Sequence, residues 1–187
     1  MKIAIFSSWL PEVSEENKNL IKDIVRYLCD RNITVVTGGC SGIPAIAIET
    51  AHECGAKTIG YFPLKDQQDY FDRQHEKNIH CIDYYSTAHF IAGFTARSLE
   101  MVKNVDAAIV LNGRIGTLSE FGIAIEEGLP LAVIENSGGI SDELKNITKI
   151  ANKEFPNNEV IFDTDYKKAT DMLIEGYNKH GKAMCQD

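Results

Sequence analysis

The sequence of 187 residues lacks long hydrophobic runs, CxxC pairs and any excess of basic residues. Because a membrane-spanning helix needs roughly 18 consecutive apolar residues, no part of the sequence predicts a transmembrane segment. The first residues, MKIAIFSS, carry a single lysine and soon reach Trp9 and Pro11, which is not the pattern of a secretory signal peptide. We therefore expect a cytoplasmic protein without a membrane partner.

Neither the cysteines nor the histidines have the spacing of a disulfide framework or a metal site. The five cysteines are Cys29, Cys40, Cys54, Cys81 and Cys185. Their odd number and wide spacing favour free thiols in a reducing compartment. The five histidines are His52, His75, His80, His89 and His180. No pair forms an HxxxH or HExxH motif, so we expect no bound metal.

Basic residues are fewer than acidic residues, 19 against 27, which gives a formal net charge of −8. Nucleic acids and anionic membranes are usually bound by clustered lysines and arginines, so this balance argues against both as partners. A small anionic ligand remains compatible with the charge, because backbone amides and one or two arginines can hold a phosphate locally. We expect a small-molecule partner and no nucleic acid.

Short apolar runs alternate with helical patterns along the chain, without repeats or linker-like segments. The predicted strands are residues 2–7, 33–37, 57–62, 79–82, 107–111, 130–134 and 159–162. The predicted helices are residues 14–30, with Ser14 as N-cap, and residues 44–54, 88–104, 118–127, 141–151 and 166–179. This alternation predicts one α/β domain over residues 1–187, a Rossmann-like three-layer α/β/α fold with a mostly parallel sheet.

Two loops that follow predicted strands are rich in glycine and small polar residues. The first contains Gly38, Gly39, Cys40, Ser41 and Gly42, and the second contains Gly113, Arg114, Ile115, Gly116 and Thr117. Ligands of such folds bind beyond the carboxyl ends of the strands, where glycines expose backbone amides and helices present their positive ends. Two such loops side by side predict a phosphate site, with Ser8 after the first strand beside it.

The second loop also has a purely structural interpretation. The segment Thr117-Leu-Ser-Glu120 matches a capping box, in which the threonine caps a helix and the glutamate reaches back to it. Neither loop matches the GxGxxG dinucleotide fingerprint or the GxxxxGK[ST] phosphate loop of nucleotide triphosphatases. From the residues alone, the cap and the ligand site both remain open.

Two long segments resemble one known family. They are TGGCSGIPAIAIETAHECGAKTIGYFP at 37–63 and RSLEMVKNVDAAIVLNGRIGTLSEFGIAIEEGLPLAVIE at 97–135. Both are similar to the LOG-like, "lysine decarboxylase-like" Rossmann family. That family includes cytokinin-riboside-monophosphate phosphoribohydrolases, proteins similar to the molybdenum cofactor carrier protein, and DNA-processing protein A.

The hydrolase branch of the family has the signature PGGxGTxxE, preceded by an Arg-Lys pair on the helix before the strand. Gly113, Gly116, Thr117 and Glu120 match the signature, and Arg97 matches the arginine of the pair. The resemblance implies a homodimer or higher homo-oligomer and an AMP-like nucleotide ligand. In its hydrolase form it implies cleavage of the N-glycosidic bond of a nucleoside 5′-monophosphate, with Arg97 and Glu120 as catalytic residues.

Three positions depart from the signature. Asn112 replaces the proline, Arg114 replaces the second glycine, and Ser98 replaces the lysine of the pair. These departures support an alternative function, in which the pocket carries or senses a nucleotide or molybdenum cofactor without cleaving it. The hydrolytic scheme needs no metal or other cofactor. Pyridoxal-phosphate chemistry is not expected despite the family label, since neither glycine loop contains a lysine.

Two further hypotheses concern regions outside the signature. The glycine-rich stretch from residue 41 to 63 is similar to DNA-processing protein A, which implies single-stranded DNA binding, although the net charge of −8 opposes it. The polar segment 64–85 contains four aromatic residues, Tyr70, Phe71, Tyr84 and Tyr85. These rings either cover the pocket and stack on a base, or pack against the sheet.

Overall fold

The computed structural model describes residues 1–10, 12–151 and 160–180. The strands are β1 (Lys2–Phe6), β2 (Thr34–Thr37), β3 (Thr58–Phe62), β4 (Thr87–Phe90), β5 (Ala107–Val110), β6 (Leu131–Ile134) and β7 (Ile161–Asp163). The helices are α1 (Glu15–Cys29), α2 (Ile43–Glu53), α3 (Gln67–Arg73), α4 (Phe94–Lys103), α5 (Ile115–Glu126), α6 (Ser141–Ala151) and α7 (Tyr166–His180).

The seven described strands form one sheet in the order β4-β3-β2-β1-β5-β6-β7. Every neighbouring pair is parallel, and β1 lies between β2 and β5. The chain therefore builds the sheet outward in one direction from β1 and then returns to build it in the other. The predicted Rossmann-like three-layer fold is confirmed, and its topological switch point lies between β1 and β5.

The central strands are apolar on both faces, because helices cover both sides of a parallel sheet. All four residues of β5 and all four of β6 are buried. One face packs on α1, α2 and α7 through residues such as Ile24, Ile48 and Leu173. The other packs on α4, α5 and α6 through residues such as Met101, Phe121 and Leu144. The direct pairing of β1 with β5 places the carboxyl ends of these two strands beside each other.

The first helix forms as its pattern predicts. The Ser14 side chain accepts a hydrogen bond from the Asn17 N–H at 3.2 Å, which confirms it as the N-cap of α1. Ile21, Val25 and Leu28 fall on one buried face of that helix. Helical periodicity and a polar cap were sufficient to predict this element correctly.

Two predictions between residues 79 and 104 are wrong. Instead of a strand at 79–82, the segment makes one isolated bridge, between Ile79 and Cys40, and then a short 3-10 helix at Ile82–Tyr84. The N-terminal end of the predicted helix 88–104 is in fact β4, which pairs with the edge of β3. Gly93, with φ of 91°, separates β4 from α4, and this backbone conformation favours glycine.

Several predictions fall on residues outside the described ranges. Residue 159, the predicted start of the last strand, is one of them, and the strand is described from Ile161 to Asp163. Cys185 is another, while the four cysteines within the described ranges are free thiols. No described helix is long and apolar enough to cross a membrane. Across the described residues, no three His, Cys, Asp or Glu side chains are grouped as a metal would require.

Candidate functional site

A cavity of about 490 Å³ opens at the switch point, beyond the carboxyl ends of β1 and β5. Its walls come from the loop after β1, the glycine loop after β2 and the first turns of α2, α4 and α5. The described lining residues are Ile5, Ser7, Ser8, Trp9, Gly38, Cys40, Pro44, Asn78, Phe94, Thr95, Arg97, Ser98, Arg114, Ile115, Gly116, Thr117, Ser119 and Glu120. This is the edge of the sheet at which open α/β folds bind ligands.

The three helices that begin at the cavity share an unusual feature of their first turns. Their N-cap residues are Gly42, Gly93 and Arg114, and none of them makes a side-chain capping bond. None of the three helices has an acidic residue in its first turn. By contrast, Ser14 and Asp66 cap α1 and α3, whose described residues do not line the cavity. Uncapped helix ends present unpaired N–H donors and a positive partial charge, both of which favour an anion.

The α2 end contributes less than its two neighbours. The Ile43 N–H already donates to the Ser8 carbonyl at 3.1 Å, and Pro44 has no N–H to offer. Since α2 has lost its first two donors, the donors available to a ligand lie mainly in the first turns of α4 and α5. The glycine loop after β2 therefore shapes the cavity more than it supplies amides.

A buried ion pair connects α4 with α5 in the cavity wall. Arg97 Nη1 donates to Glu120 Oε1 at 2.7 Å, and the Ser98 hydroxyl lies 3.4 Å from the same oxygen. Arg97 is 5% exposed and Glu120 is 8% exposed. Burial raises the pKa of Glu120, while the charge and hydrogen bond of Arg97 oppose that rise. The Nε atom of Arg97 is buried and has no hydrogen-bond partner among the described residues.

Gly38 provides the space in which the guanidinium lies. A Cβ atom at this position would lie 2.3 Å from Arg97 Nη1 and 2.7 Å from Cζ. Any side chain larger than hydrogen would therefore force the Arg97 guanidinium to shift. The first glycine loop and the buried pair form one packed unit, which neither sequence segment predicts alone.

Only part of the first glycine loop reaches the cavity. Gly38 and Cys40 line it, whereas Gly39 packs under the Phe62 ring. The Ser41 hydroxyl donates to the Trp9 carbonyl at 3.0 Å, and Gly42 packs against the backbone of the loop after β1. Three of the five residues predicted to bind phosphate here thus lie outside the cavity lining, and two of them, Ser41 and Gly42, hold the glycine loop against the loop after β1. The first glycine loop therefore combines positions that support the fold with positions that line the cavity.

The Cys40 side chain is a neutral thiol within the cavity wall. Its Sγ atom donates to the Gly38 carbonyl at 3.4 Å, and the residue is 5% exposed. Burial raises the pKa of this thiol, and the nearby positive charge of Arg97 opposes the rise. The residue fills the turn and is poorly placed to act as a thiolate nucleophile.

The capping-box interpretation of the second loop is wrong. Helix α5 begins at Ile115 with Arg114 as N-cap, so Thr117 lies inside the first turn. The Glu120 carboxylate binds Arg97 instead of reaching back to a backbone N–H. The helix starts two residues before the predicted cap, because Arg114 is the last extended residue, with φ of −141°.

Gly113 and Asn112 build the turn between β5 and α5 without lining the cavity. Gly113 has φ of 96° and lies against the Thr117 side chain, with no room for a Cβ atom. Asn112 has φ of 52°, which proline cannot adopt, so the departure from the family signature changes the turn itself. Asn112 also binds Ser137 and Ser141 through its backbone and side chain, which anchors the turn to the next loop.

The remaining predicted site residues all line the cavity. These are Ser8, Arg114, Ile115, Gly116 and Thr117, together with Arg97 and Glu120 described above. Arg114 is exposed, and its guanidinium adds a positive charge to those of the helix ends. Gly116 has open space where a Cβ atom would stand, so nothing in the described protein requires a glycine there.

The aromatic segment 64–85 packs against the sheet and does not cover the cavity. Tyr70 and Tyr85 contact the Phe62 ring, with centroids 5.6 and 5.1 Å away. His80 is buried beside them, with Nδ1 3.1 Å from the Tyr85 hydroxyl. Of this segment, the described cavity lining includes Asn78 only. The hypothesis of a stacking lid is therefore wrong, and the alternative of packing against the sheet is confirmed.

Sequence reasoning missed several residues of the cavity wall. Trp9, Asn78, Phe94, Thr95 and Ser119 were not predicted as site residues. Ser119 adjoins Glu120 in the helix, and Trp9 lies in the loop after the first strand, so position could have indicated both. No sequence signal marks Asn78, because the distant segment 78–80 reaches the cavity by pairing with the glycine loop.

Solved structures with the same fold include two molybdenum cofactor proteins. The molybdenum cofactor binding protein from Rippkaea orientalis has a TM-score of 0.71 and 21% identity, covering 95% of this chain and 96% of that one. The molybdenum cofactor carrier protein from Chlamydomonas reinhardtii has a TM-score of 0.73 and 17% identity, covering 95% and 98%. At these identities the likeness concerns the fold.

Two further similarities come from proteins of other kinds. DNA processing protein A from Helicobacter pylori, whose structure is described with a single-stranded DNA binding mode, has a TM-score of 0.62 and 18% identity, covering 94% of this chain and 80% of that one. Tropinone reductase-like 2 from Erythroxylum coca is 28% identical over 116 residues, or 62% of this chain. This chain matches 39% of the length of that curated relative.

The family itself is identified by a match over nearly the whole chain. The profile of the SLOG cluster4 family covers residues 2–170, which include both glycine loops, the buried pair and the cavity. Together with the neighbouring folds, this match confirms the resemblance to the LOG-like superfamily that the two sequence segments indicated. The chain belongs to the SLOG cluster4 family.

Proposed function

We propose that the cavity binds a nucleoside 5′-monophosphate through its phosphate and hydrolyses the N-glycosidic bond. The main support is the combination of uncapped helix ends with a buried Arg97–Glu120 pair in one cavity wall. The phosphate would lie against the first turns of α4 and α5, where Gly116 leaves open space and Thr117 offers a hydroxyl. The exposed guanidinium of Arg114 would add a charge-assisted contact.

The chemical step assigned to Glu120 is stabilisation of an oxocarbenium-like sugar. Water adds to the anomeric carbon as the bond to the base breaks, which releases free base and ribose 5-phosphate. A carboxylate near that carbon stabilises its positive charge or accepts a proton from the water. Arg97 holds the carboxyl group in place with a hydrogen bond of 2.7 Å and opposes the rise in the pKa of Glu120 that burial causes.

A carrier or sensor of a nucleotide or molybdenum cofactor is the second candidate, and one observation favours it. The titratable side chains among the described lining residues are Cys40, Arg97, Arg114 and Glu120. The set contains one carboxylate and no histidine or lysine, so no second group is evident to protonate a departing base. A site that only binds its ligand needs no such acid.

The proposed partner remains a small anion, in preference to single-stranded DNA. The formal net charge of −8 would oppose an extended phosphate backbone, whereas one phosphate can be held inside the cavity. We also propose a homodimer or higher homo-oligomer in the cytoplasm, as the family resemblance implies. Phe94 and Ile115, exposed in the first turns of α4 and α5, offer apolar surface for such a contact.

The test is incubation of the purified protein with AMP, GMP, CMP, UMP and IMP, with free base quantified by chromatography. Hydrolysis predicts release of base by the wild type and loss of that release in Glu120→Gln, with ligand binding retained. Glu53→Gln is the matched control, since Glu53 is an exposed glutamate at the end of α2.

The other outcomes separate the candidates. Thermal stabilisation by a nucleotide without release of base would support the carrier or sensor and exclude hydrolysis of the nucleotides tried. Release of base that continues in Glu120→Gln would contradict the assigned role of the carboxylate. If none of the five nucleotides releases base or stabilises the protein thermally, the proposed nucleotide site is refuted.

A further inference from the structure

Large apolar side chains are exposed at six positions in the described residues, and three of these positions line the cavity. The six are Trp9, Phe71, Phe94, Ile115, Ile150 and Met172, and those of the cavity are Trp9, Phe94 and Ile115. Trp9 is 46% exposed, Phe94 is 57% exposed and Ile115 is 80% exposed. Burial of such side chains is favourable, so their concentration around one cavity requires an explanation.

The Trp9 and Phe94 rings differ from the exposed ring of Phe71. Phe71 packs edge-on against Tyr70, with centroids 5.5 Å apart. Trp9 and Phe94 have no ring partner within the described chain. Both therefore keep an aromatic face available at the cavity.

The backbone that carries Trp9 is firmly held, although its side chain is exposed. The Trp9 carbonyl accepts the Ser41 hydroxyl at 3.0 Å, and the Leu10 N–H donates to the Ser8 hydroxyl at 3.3 Å. Gly42 also packs against the Trp9 carbonyl carbon, where no Cβ atom would fit. An exposed ring on a fixed loop loses little conformational freedom when it contacts a ligand.

The cavity is thus chemically divided. Its wall at α4 and α5 offers amide donors, Arg97 and Arg114, whereas Trp9, Phe94 and Ile115 supply exposed apolar surface. We propose that Trp9 and Phe94 form a subsite for a planar aromatic heterocycle, so that the preferred ligand is an anion joined to such a ring. This inference rests on the proposed nucleotide function and assigns its base-recognition residues.

The chain provides its own probe of this subsite, because Trp9 is its single tryptophan. Selective excitation of tryptophan reports on one position at the cavity. With rapid mixing, so that turnover does not change the ligand, AMP is expected to quench this fluorescence in a saturable way. Ribose 5-phosphate is expected to compete with AMP while causing little quenching of its own.

Phe94→Ala and Trp9→Ala test the two rings separately. Stacking of a base on an aromatic ring typically corresponds to a loss of about tenfold in affinity or more when the ring is removed. We expect about that loss for AMP in each variant, with the affinity for ribose 5-phosphate unchanged. Phe71→Ala is the matched control, since Phe71 is 49% exposed outside the cavity lining, and it should change neither affinity. For Trp9→Ala, where the fluorescent reporter is lost, calorimetry supplies the affinities.

Failure of this inference can be distinguished from failure of the proposed function. Unchanged AMP affinity in both variants, with ribose 5-phosphate still bound, would overturn the ring subsite and leave the phosphate site intact. Quenching by adenosine without competition from ribose 5-phosphate would support the ring subsite and overturn the phosphate site. No binding of AMP, adenosine or ribose 5-phosphate would overturn both. Weaker self-association of Phe94→Ala with unchanged AMP affinity would instead assign the apolar surface to a second copy of the chain.

Discussion

Removal of the charge on Glu120 should destabilise the protein as well as affect its chemistry. The side chains of Arg97 and Glu120 are 7% and 10% exposed, and they form a direct ion pair at 2.7 Å. Glu120→Gln leaves the guanidinium charge buried without its counter-ion. Breaking a buried pair in this way costs about 3–5 kcal/mol. We expect the lower end, about 3 kcal/mol, because glutamine still offers an oxygen that accepts a hydrogen bond.

The expected change is large enough to measure in two ways. For a domain of this size, 1 kcal/mol corresponds to about 2–4 °C in Tm, so the variant should melt roughly 6–12 °C below the wild type. Urea unfolding followed by circular dichroism measures the free energy of unfolding directly. The control Glu53→Gln, at an exposed position, should lie within about 0.5 kcal/mol of the wild type.

A double variant separates loss of the pair from loss of packing. Replacement of both partners by apolar residues of similar size, Arg97→Met with Glu120→Leu, removes both buried charges together. Such replacements are often neutral or stabilising, so the double variant should recover most of the stability lost in Glu120→Gln. A loss below about 1 kcal/mol in Glu120→Gln, or no recovery in the double variant, would refute a strongly coupled buried pair.

Three further predictions concern the cavity and its support. Gly38→Ala places a Cβ atom 2.3 Å from Arg97 Nη1, so we expect the free energy of unfolding in urea to fall by about 1–3 kcal/mol and AMP to bind more weakly. An unchanged free energy of unfolding would refute the close contact. A Cβ atom has open space at both Gly116 and Gly122 in α5, so Gly116→Ala and Gly122→Ala should each stabilise the helix by about 0.5–1 kcal/mol. Because only Gly116 of the two lines the cavity, Gly116→Ala should weaken AMP binding in calorimetry and Gly122→Ala should not. Burial lowers the pKa of His80 below its usual 6.5, so the unfolded chain binds more protons than the folded protein, and the free energy of unfolding should fall as the pH drops below about 6.5. His80→Gln should reduce this dependence on pH in urea unfolding, and an unchanged dependence would contradict the prediction.

The layered fold follows from patterns that are local in sequence. A strand that is buried on both faces has a continuous apolar sequence, as in residues 107–110. Helix α1 instead has apolar residues at helical spacing after a serine N-cap. Parallel strands then need helical crossovers, and the crossovers have a fixed hand. These rules placed both glycine loops at the carboxyl edge of the sheet before any contact was known.

Predictions failed where a distant partner decides the conformation. Residues 87–90 form β4 because the edge of β3 supplies their hydrogen bonds, and a segment of four residues is too short for its own periodicity to identify a strand. The capping box failed for a similar reason. Thr117 and Glu120 have the correct local spacing, but the carboxylate gains more from Arg97, which lies 23 residues earlier in the chain.

The sequence alone determined the fold class, the edge of the sheet that carries the site, and the residue types that identify the family. Only the tertiary structure decided which side chains meet there. It joined Arg97, Gly38 and Glu120 into one packed unit, turned Gly39, Ser41 and Gly42 away from the cavity lining, and left Trp9 and Phe94 exposed beside it. The physical reason is that periodicity and turn chemistry act over a few residues, whereas burial and charge pairing depend on segments brought together by the sheet.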